Sequence, residues 1–255
     1  MGGSGRLRIR TKYGTYDTTI VLSSTMPRRT PPPTDGESSR KPPDEGHDLP
    51  RLSAVSVLQS LAPLKEVNER CIEMLALAAR KEPSGSLTLV GYLKEVLLRM
   101  TPEIRTRAAR RPVLLSDMQF TNAPWWRVTR EHPARPAPLP SWRGSFPKHQ
   151  AVSLARATLM LAWHSLRFSP ESAVLLGVTP GVAELIAELS LTDIDTIVER
   201  RFQHIRPRWE DRPAVWERLL LTAESEDFRK TRDFNLYSLQ LVTGELWTST
   251  GRPSG

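Results

Sequence analysis

The sequence holds only one cysteine, Cys71, among its 255 residues. One cysteine excludes a disulfide within the chain and a zinc site built on cysteine ligands. The five histidines show neither HxH nor HxxxH spacing, so we expect no metal. Cys71 stands among the apolar residues of ERCIEMLALAAR, a pattern that predicts a buried structural thiol.

Long apolar runs and enzyme motifs are also lacking. No stretch reaches 18 apolar residues, which excludes a transmembrane helix, and no apolar segment of signal-peptide length follows the N-terminus. We therefore expect a cytoplasmic protein. The sequence contains no P-loop, GxGxxG, GxSxG or HExxH motif, and we predict neither an enzyme nor a site for a cofactor or a small-molecule substrate.

Positive charge is in excess. The formal net charge is +8, and the segment from Arg99 to Lys148 holds ten Lys or Arg residues against three Asp or Glu residues, a net of +7. A basic chain with interleaved aromatic residues suits a polyanion such as double-stranded DNA. The arginines that we predict to contact DNA form two groups: Arg200, Arg201, Arg206, Arg208 and Arg212, and Arg105, Arg107, Arg110 and Arg111.

The N-terminal region divides into two parts. In residues 1–25, RLRIRTKYGTYDTTIVLS alternates apolar and polar residues around a Tyr-Gly turn, which predicts a β-hairpin. The other interpretation is that Met26 is the true start and the preceding residues are an over-read. Residues 26–52 include seven prolines and almost no apolar residue, and we predict a disordered linker.

Helical spacing of apolar residues begins near residue 53 and predicts a helical region over residues 53–111. Residues 112–147 are rich in Pro and Trp, and we predict a basic connector and a domain boundary there. Helical spacing returns in residues 148–247. The predicted fold class is therefore mainly α.

Residues 148–168, KHQAVSLARATLMLAWHSLRF, form the clearest predicted helix. Three short helices follow in residues 169–202 and make a unit like a helix-turn-helix, with Thr179 and Thr192 as predicted caps. Its second helix, PGVAELIAEL, offers two glutamates but no Arg, Lys, Asn or Gln for phosphates or base edges. We expect that helix to pack rather than to recognise DNA.

Residues 159–209 resemble the D subunit of the FlhDC flagellar transcriptional activator. The resemblance is carried by the apolar run at Leu159 and Ala162, the turn Leu176-Gly177-Val178 and the basic-aromatic pair Arg208-Trp209. It implies a helical transcriptional activator that dimerises through the long helix and acts with an FlhC-like partner subunit. The partner interface is then expected at Leu159, Ala162, Trp163, Leu166, Leu176 and Ile186.

Two functions remain open. The first is a DNA-binding transcriptional regulator, acting as a dimer or with a partner subunit. The second is a helical protein–protein interaction module without direct DNA contact. The first requires the two arginine groups on one face, whereas the second expects apolar exposure on the helix of residues 148–168.

Overall fold

A computed structural model describes residues 7–11, 14–18, 54–83, 86–133 and 144–250. The chain divides into two compact units, Met1–Leu49 and Pro50–Gly255. In the first unit, strand β1 (Leu7–Thr11) pairs antiparallel with strand β2 (Gly14–Thr18). This confirms the predicted β-hairpin. The predicted linker of residues 26–52 lies outside the described residues.

The second unit is helical, which confirms the predicted fold class. Two short 3-10 helices, Pro170–Ser172 and Phe202–His204, interrupt the chain of α-helices. A two-residue antiparallel pair joins strand β3 (Ser116–Asp117) to strand β4 (Arg206–Pro207). The α-helices of the described residues are α1 (Ala54–Ala79), α2 (Leu89–Arg99), α3 (Pro102–Ala109), α4 (Ala123–Glu131), α5 (Lys148–Phe168), α6 (Ala173–Leu176), α7 (Pro180–Ala187), α8 (Leu191–Arg201), α9 (Pro213–Glu224) and α10 (Phe228–Thr250).

The ends of the short helices follow local sequence. Gly177 takes a left-handed conformation with φ +65° and ends α6, while Thr179 precedes Pro180 at the start of α7. Helix α8 begins two residues earlier than predicted. Ser190, not Thr192, is its cap, because the Ser190 hydroxyl accepts from the Asp193 N–H at 3.1 Å and the Asp193 carboxylate accepts from the Ser190 N–H at 3.0 Å.

Helix α5 lies at the centre of the core. It packs against α1, α7 and α8, and its bounds are those that the sequence predicted. Trp163 is half-buried and donates its indole N–H to the Leu189 carbonyl at 2.8 Å. The other residues predicted to meet a partner subunit are buried within the chain's own core and are therefore not available to it: Leu159, Ala162, Leu166, Leu176 and Ile186.

The segment predicted as a connector, residues 112–147, belongs to the core in its described part. Val113, Leu114 and Leu115 are fully buried. Asn68 on α1 holds this irregular segment: its side-chain amide donates to the Val113 carbonyl at 2.9 Å and accepts from the Leu115 N–H at 2.8 Å. A buried amide thus supplies the hydrogen bonds that regular structure would otherwise provide. The predicted domain boundary is wrong.

Candidate nucleic-acid interface

Arg208, a predicted DNA contact, is buried at 3% exposure. Its guanidinium donates to the Leu114 carbonyl at 3.0 Å and to the Leu176 carbonyl at 2.7 Å. It also forms an ion pair with Glu245 of α10 at 3.4 Å. Arg208 therefore joins the segment before β3, α6 and α10, and it cannot reach DNA.

Arg111 is buried in a similar way, at 2% exposure. It donates to the Asn235 side chain at 3.2 Å, and its guanidinium lies 5.2 Å from the centre of the Phe234 ring. Burial lowers the pKa of Arg111 to about 10, so the side chain stays protonated at neutral pH. Arg111 and Arg208 thus both hold helix α10 on the core.

Two further predicted contacts are engaged inside the fold. Arg201 is buried at 7% exposure. Arg107 donates to the Ala223 carbonyl at 2.9 Å and pairs with Glu226 at 2.9 Å. The prediction of DNA contact is therefore wrong for Arg111, Arg201 and Arg208. A buried guanidinium group can serve several carbonyls at once, as Arg208 does for Leu114 and Leu176.

Members of the two arginine groups lie at opposite ends of α9. Arg212 precedes the first residue of α9, whereas Arg107 binds the Ala223 carbonyl near the last residue of that helix. Twelve residues of helix separate these ends by ~18 Å. The complete groups as the sequence defined them therefore do not form an exposed basic surface, because Arg111 of one group and Arg201 and Arg208 of the other are buried.

The remaining predicted DNA contacts differ in exposure and in ion pairing. Arg110 and Arg200 are exposed and have no ion-pair partner within the described ranges. Arg105 is half-buried. Arg212 is exposed, and its Nε lies 3.9 Å from a carboxylate oxygen of Asp211. The exposed guanidinium groups of Arg110 and Arg200 therefore remain available to a ligand.

The structure brings together two basic-aromatic stretches that the sequence separates by 79 residues. The ring centres of Trp125 and His204 lie 5.0 Å apart at an interplanar angle of 64°. Asn122 caps α4 by accepting from the Trp125 N–H at 3.1 Å, which fixes the start of the helix that carries the indole. The neighbouring Trp126 is fully buried and stacks on Phe120.

Charges surround this contact. Arg206 is half-exposed and pairs through Nε with Asp117 at 2.9 Å. Burial, together with the positive charges of Arg201 and Arg206, lowers the pKa of His204. Its imidazole is therefore neutral at pH 7. Arg127 lies two residues after Trp125 and is exposed with no ion-pair partner in the described part of the chain.

We call the Trp125–His204 contact and the basic residues near it along the two segments the basic junction, and define it by Trp125, Arg127, Arg200, His204 and Arg206. The predicted DNA contacts include Arg200 and Arg206. Arg127 belongs to a basic-aromatic stretch of the sequence but was not among those contacts, and the meeting of Trp125 with His204 was not predicted. The sequence feature that pointed to the junction was the interleaving of aromatic and basic residues in both stretches. The pairing itself follows from the antiparallel contact of β3 with β4, which only the tertiary structure shows.

A polar cleft of about 500 Å³ lies beside the junction, between residues 206–212 and the C-terminal half of α10. Three arginines and four carboxylates line it. Because negative groups outnumber positive groups there, the cleft does not favour a phosphate.

Among the described helices, none is long and apolar enough to cross a membrane. The described residues also contain no group of three or more His, Cys, Asp or Glu side chains placed to hold a metal ion. No protein-family model, curated protein or solved structure matches the chain.

Proposed function

We propose that the chain is a subunit of a DNA-binding transcriptional regulator that contacts the phosphate backbone through the basic junction. The proposal extends the resemblance of residues 159–209 to the D subunit of the FlhDC activator. It includes a homodimer, an FlhC-like partner subunit, or both. A formal net charge of +8 favours a polyanion, and double-stranded DNA is the one that the proposal names.

One observation carries the proposal. Two exposed arginines without a carboxylate partner among the described residues, Arg127 and Arg200, lie within four residues of the Trp125–His204 contact along their own segments. An unpaired guanidinium keeps its donors for a phosphate, which it can bind through two hydrogen bonds. The half-buried rings add flat surface beside the charge.

Helix α7 is not expected to enter a DNA groove. Its exposed face carries Glu184 and Glu188, and Glu188 pairs with Arg130 of α4 at 2.5 Å. Carboxylates on this face would repel the phosphates that flank a groove. Contacts of this chain would therefore be to the backbone, and base recognition would come from a partner subunit.

Fluorescence anisotropy with a labelled DNA duplex, titrated with salt, tests the proposal. The logarithm of the binding constant should fall linearly with the logarithm of salt concentration. In the double variant Arg127→Ala/Arg200→Ala the slope should flatten by roughly 2, about 0.9 for each lost phosphate contact. Both residues are exposed, so the fold should be retained.

The double variant Arg99→Ala/Arg156→Ala is the matched control. Both arginines are exposed, but each is already paired, with Glu224 and Asp195 respectively. Their loss should leave the salt slope near the wild-type value. A slope that Arg127→Ala/Arg200→Ala does not change would overturn the assignment of the junction.

The interaction module without DNA contact is the second candidate. It is favoured by the burial of three predicted DNA contacts and by the exposure of Phe228 at 68% on α10. Absence of duplex binding at low salt would support this candidate and overturn the first.

A further inference from the structure

The hairpin of β1 and β2 has two chemically different faces. Its register sets Arg8 opposite Asp17 and Arg10 opposite Thr15, so these four positions share one face of the two-stranded ribbon. We call this the hairpin's basic face. The pairs on the other face are Leu7 with Thr18, Ile9 with Tyr16 and Thr11 with Gly14. The arginines and the large apolar residues of the hairpin are therefore on opposite faces.

Positive charge in residues 1–25 is confined to alternate positions. All four basic residues stand at even positions, and Asp17 is the single acidic residue, which gives a net charge of +3. The four are Arg6, Arg8, Arg10 and Lys12. Arg8 and Arg10 belong to β1, while Arg6 and Lys12 lie outside the described residues and continue the alternation in the sequence. Because a strand has a period of two, this spacing places the arginines of β1 on one face.

We propose that the basic face of the hairpin is a second contact of the chain with the phosphate backbone of double-stranded DNA. The inference deepens the proposed function, on which it rests, by adding a site in the first compact unit. The resemblance to the D subunit covers residues 159–209 and therefore implies nothing about the hairpin.

The spacing of the arginines along β1 suits a row of phosphates. Arg8 and Arg10 are two residues apart in an extended strand, so their Cα atoms lie about 7 Å apart. Neighbouring phosphates of one DNA strand have a similar separation, and each guanidinium can bind a phosphate through two N–H donors. In a helix, residues two positions apart would point to different sides. The extended strand is therefore the conformation that aligns these charges.

The hairpin and the basic junction belong to the same chain. Once one of them is bound to a duplex, binding of the other to that duplex is intramolecular, which raises its effective concentration. Two modest electrostatic contacts can then give an affinity that neither gives alone. A second contact is thus useful to a chain whose junction offers only a few unpaired arginines.

A salt titration of the full chain with a labelled DNA duplex tests the inference. Arg8→Gln/Arg10→Gln should flatten the slope of the logarithm of the binding constant against the logarithm of salt concentration by roughly 2, about 0.9 for each lost phosphate contact. Arg99→Gln/Arg156→Gln is the matched control. It removes the same charge from arginines that are already paired, and its slope should stay at the wild-type value.

An unchanged slope in Arg8→Gln/Arg10→Gln would overturn the inference. The same variant should bind vesicles that contain phosphatidylserine no less than the wild type does. If it lost vesicle binding and kept the wild-type slope with the duplex, the basic face would belong to a membrane surface, and the inference would again be overturned.

Thr15→Pro/Tyr16→Pro tests whether the paired strands are required. In an antiparallel pair, one of two neighbouring residues donates its N–H to the partner strand, and proline has no N–H to donate. The variant keeps every charge but loses a hydrogen bond between β1 and β2, so its slope should flatten towards that of Arg8→Gln/Arg10→Gln. A wild-type slope in the proline variant would show that the basic sequence binds without the hairpin, which would overturn the role of the ribbon.

The two DNA contacts can fail separately. If Arg127→Ala/Arg200→Ala flattens the slope and Arg8→Gln/Arg10→Gln does not, the hairpin contact is overturned and the basic junction stands. The reverse result would overturn the junction and support the hairpin. Absence of duplex binding by the wild type at low salt would overturn both.

Discussion

Gly177 leaves the space that the guanidinium of Arg208 occupies. A Cβ atom at position 177 would overlap Nη1, Nη2 and Cζ of Arg208, and the backbone there has φ +65°, which side chains other than glycine rarely adopt. The Arg208 bond to the Leu176 carbonyl depends on this close approach. The turn and the arginine are therefore one structural unit, although 31 positions separate them.

Gly177→Ala should lower the free energy of unfolding by about 1–3 kcal/mol, because it combines backbone strain with displacement of a buried guanidinium. Urea denaturation measures this change. Gly181→Ala is the matched control, because a Cβ there meets no atom within 4 Å and alanine is the better helix former. Equal stability of the two variants would contradict the account of Gly177.

Asn68→Ala should destabilise the fold by about 2–4 kcal/mol. The substitution removes the amide that serves the Ala109 and Val113 carbonyls and the Leu115 N–H, and each buried group then lacks its partner. Gln240→Ala, at an exposed position of α10, should change the unfolding free energy by less than about 0.5 kcal/mol. If Asn68→Ala lowered the unfolding free energy no more than Gln240→Ala does, packing alone would hold the segment from Ala109 to Leu115.

Cys71 should resist thiol reagents in the native protein. It is fully buried, and burial raises the pKa of its thiol above the usual range, so that little thiolate forms. We expect a thiol-specific chromophoric reagent to label Cys71 only at the rate of unfolding, and at once in concentrated urea. Rapid labelling without denaturant would place the thiol near the surface.

The stability of the protein should fall as pH decreases through the range where free histidine titrates. Because the pKa of His204 is lowered in the folded state, the unfolded chain binds this proton more readily. The contribution is fully present above the unfolded pKa of about 6.5 and declines as pH falls towards the lower folded pKa. His204→Gln should lose less unfolding free energy than the wild type between about pH 7.5 and 5.5.

His149→Gln is the control for this comparison, since His149 is exposed on the first turn of α5. Its pH dependence should follow the wild type. If the wild type and His204→Gln lost equal stability over the same interval, the lowered pKa would not contribute to folding.

Local sequence was sufficient to predict helix bounds and turns that depend on neighbouring residues. The apolar spacing of residues 148–168 predicted α5 with its observed bounds, and Gly177 and Pro180 marked the turn between α6 and α7. The cap of α8 was misplaced by two residues, because Ser190 and Thr192 are both good caps. The reciprocal bond of Ser190 with Asp193 decides between them.

Burial of charged side chains could not be predicted in the same way. Arg200 and Arg201 are neighbours, yet one is exposed and the other buried. Sequence composition gives the same charge for both residues. It contains no information on which backbone carbonyls lie near each side chain in the fold. The acceptors of Arg208 lie 94 and 32 positions away along the chain, so no local pattern identifies them.

The sequence by itself determined a helical chain, a buried thiol and an excess of positive charge, because spacing, residue type and composition are local properties. The tertiary structure alone decided which arginines hold α10, that the apolar face of α5 is buried in the core, and that Trp125 meets His204. These outcomes depend on long-range packing, in which a side chain is buried or exposed according to segments far from it in sequence.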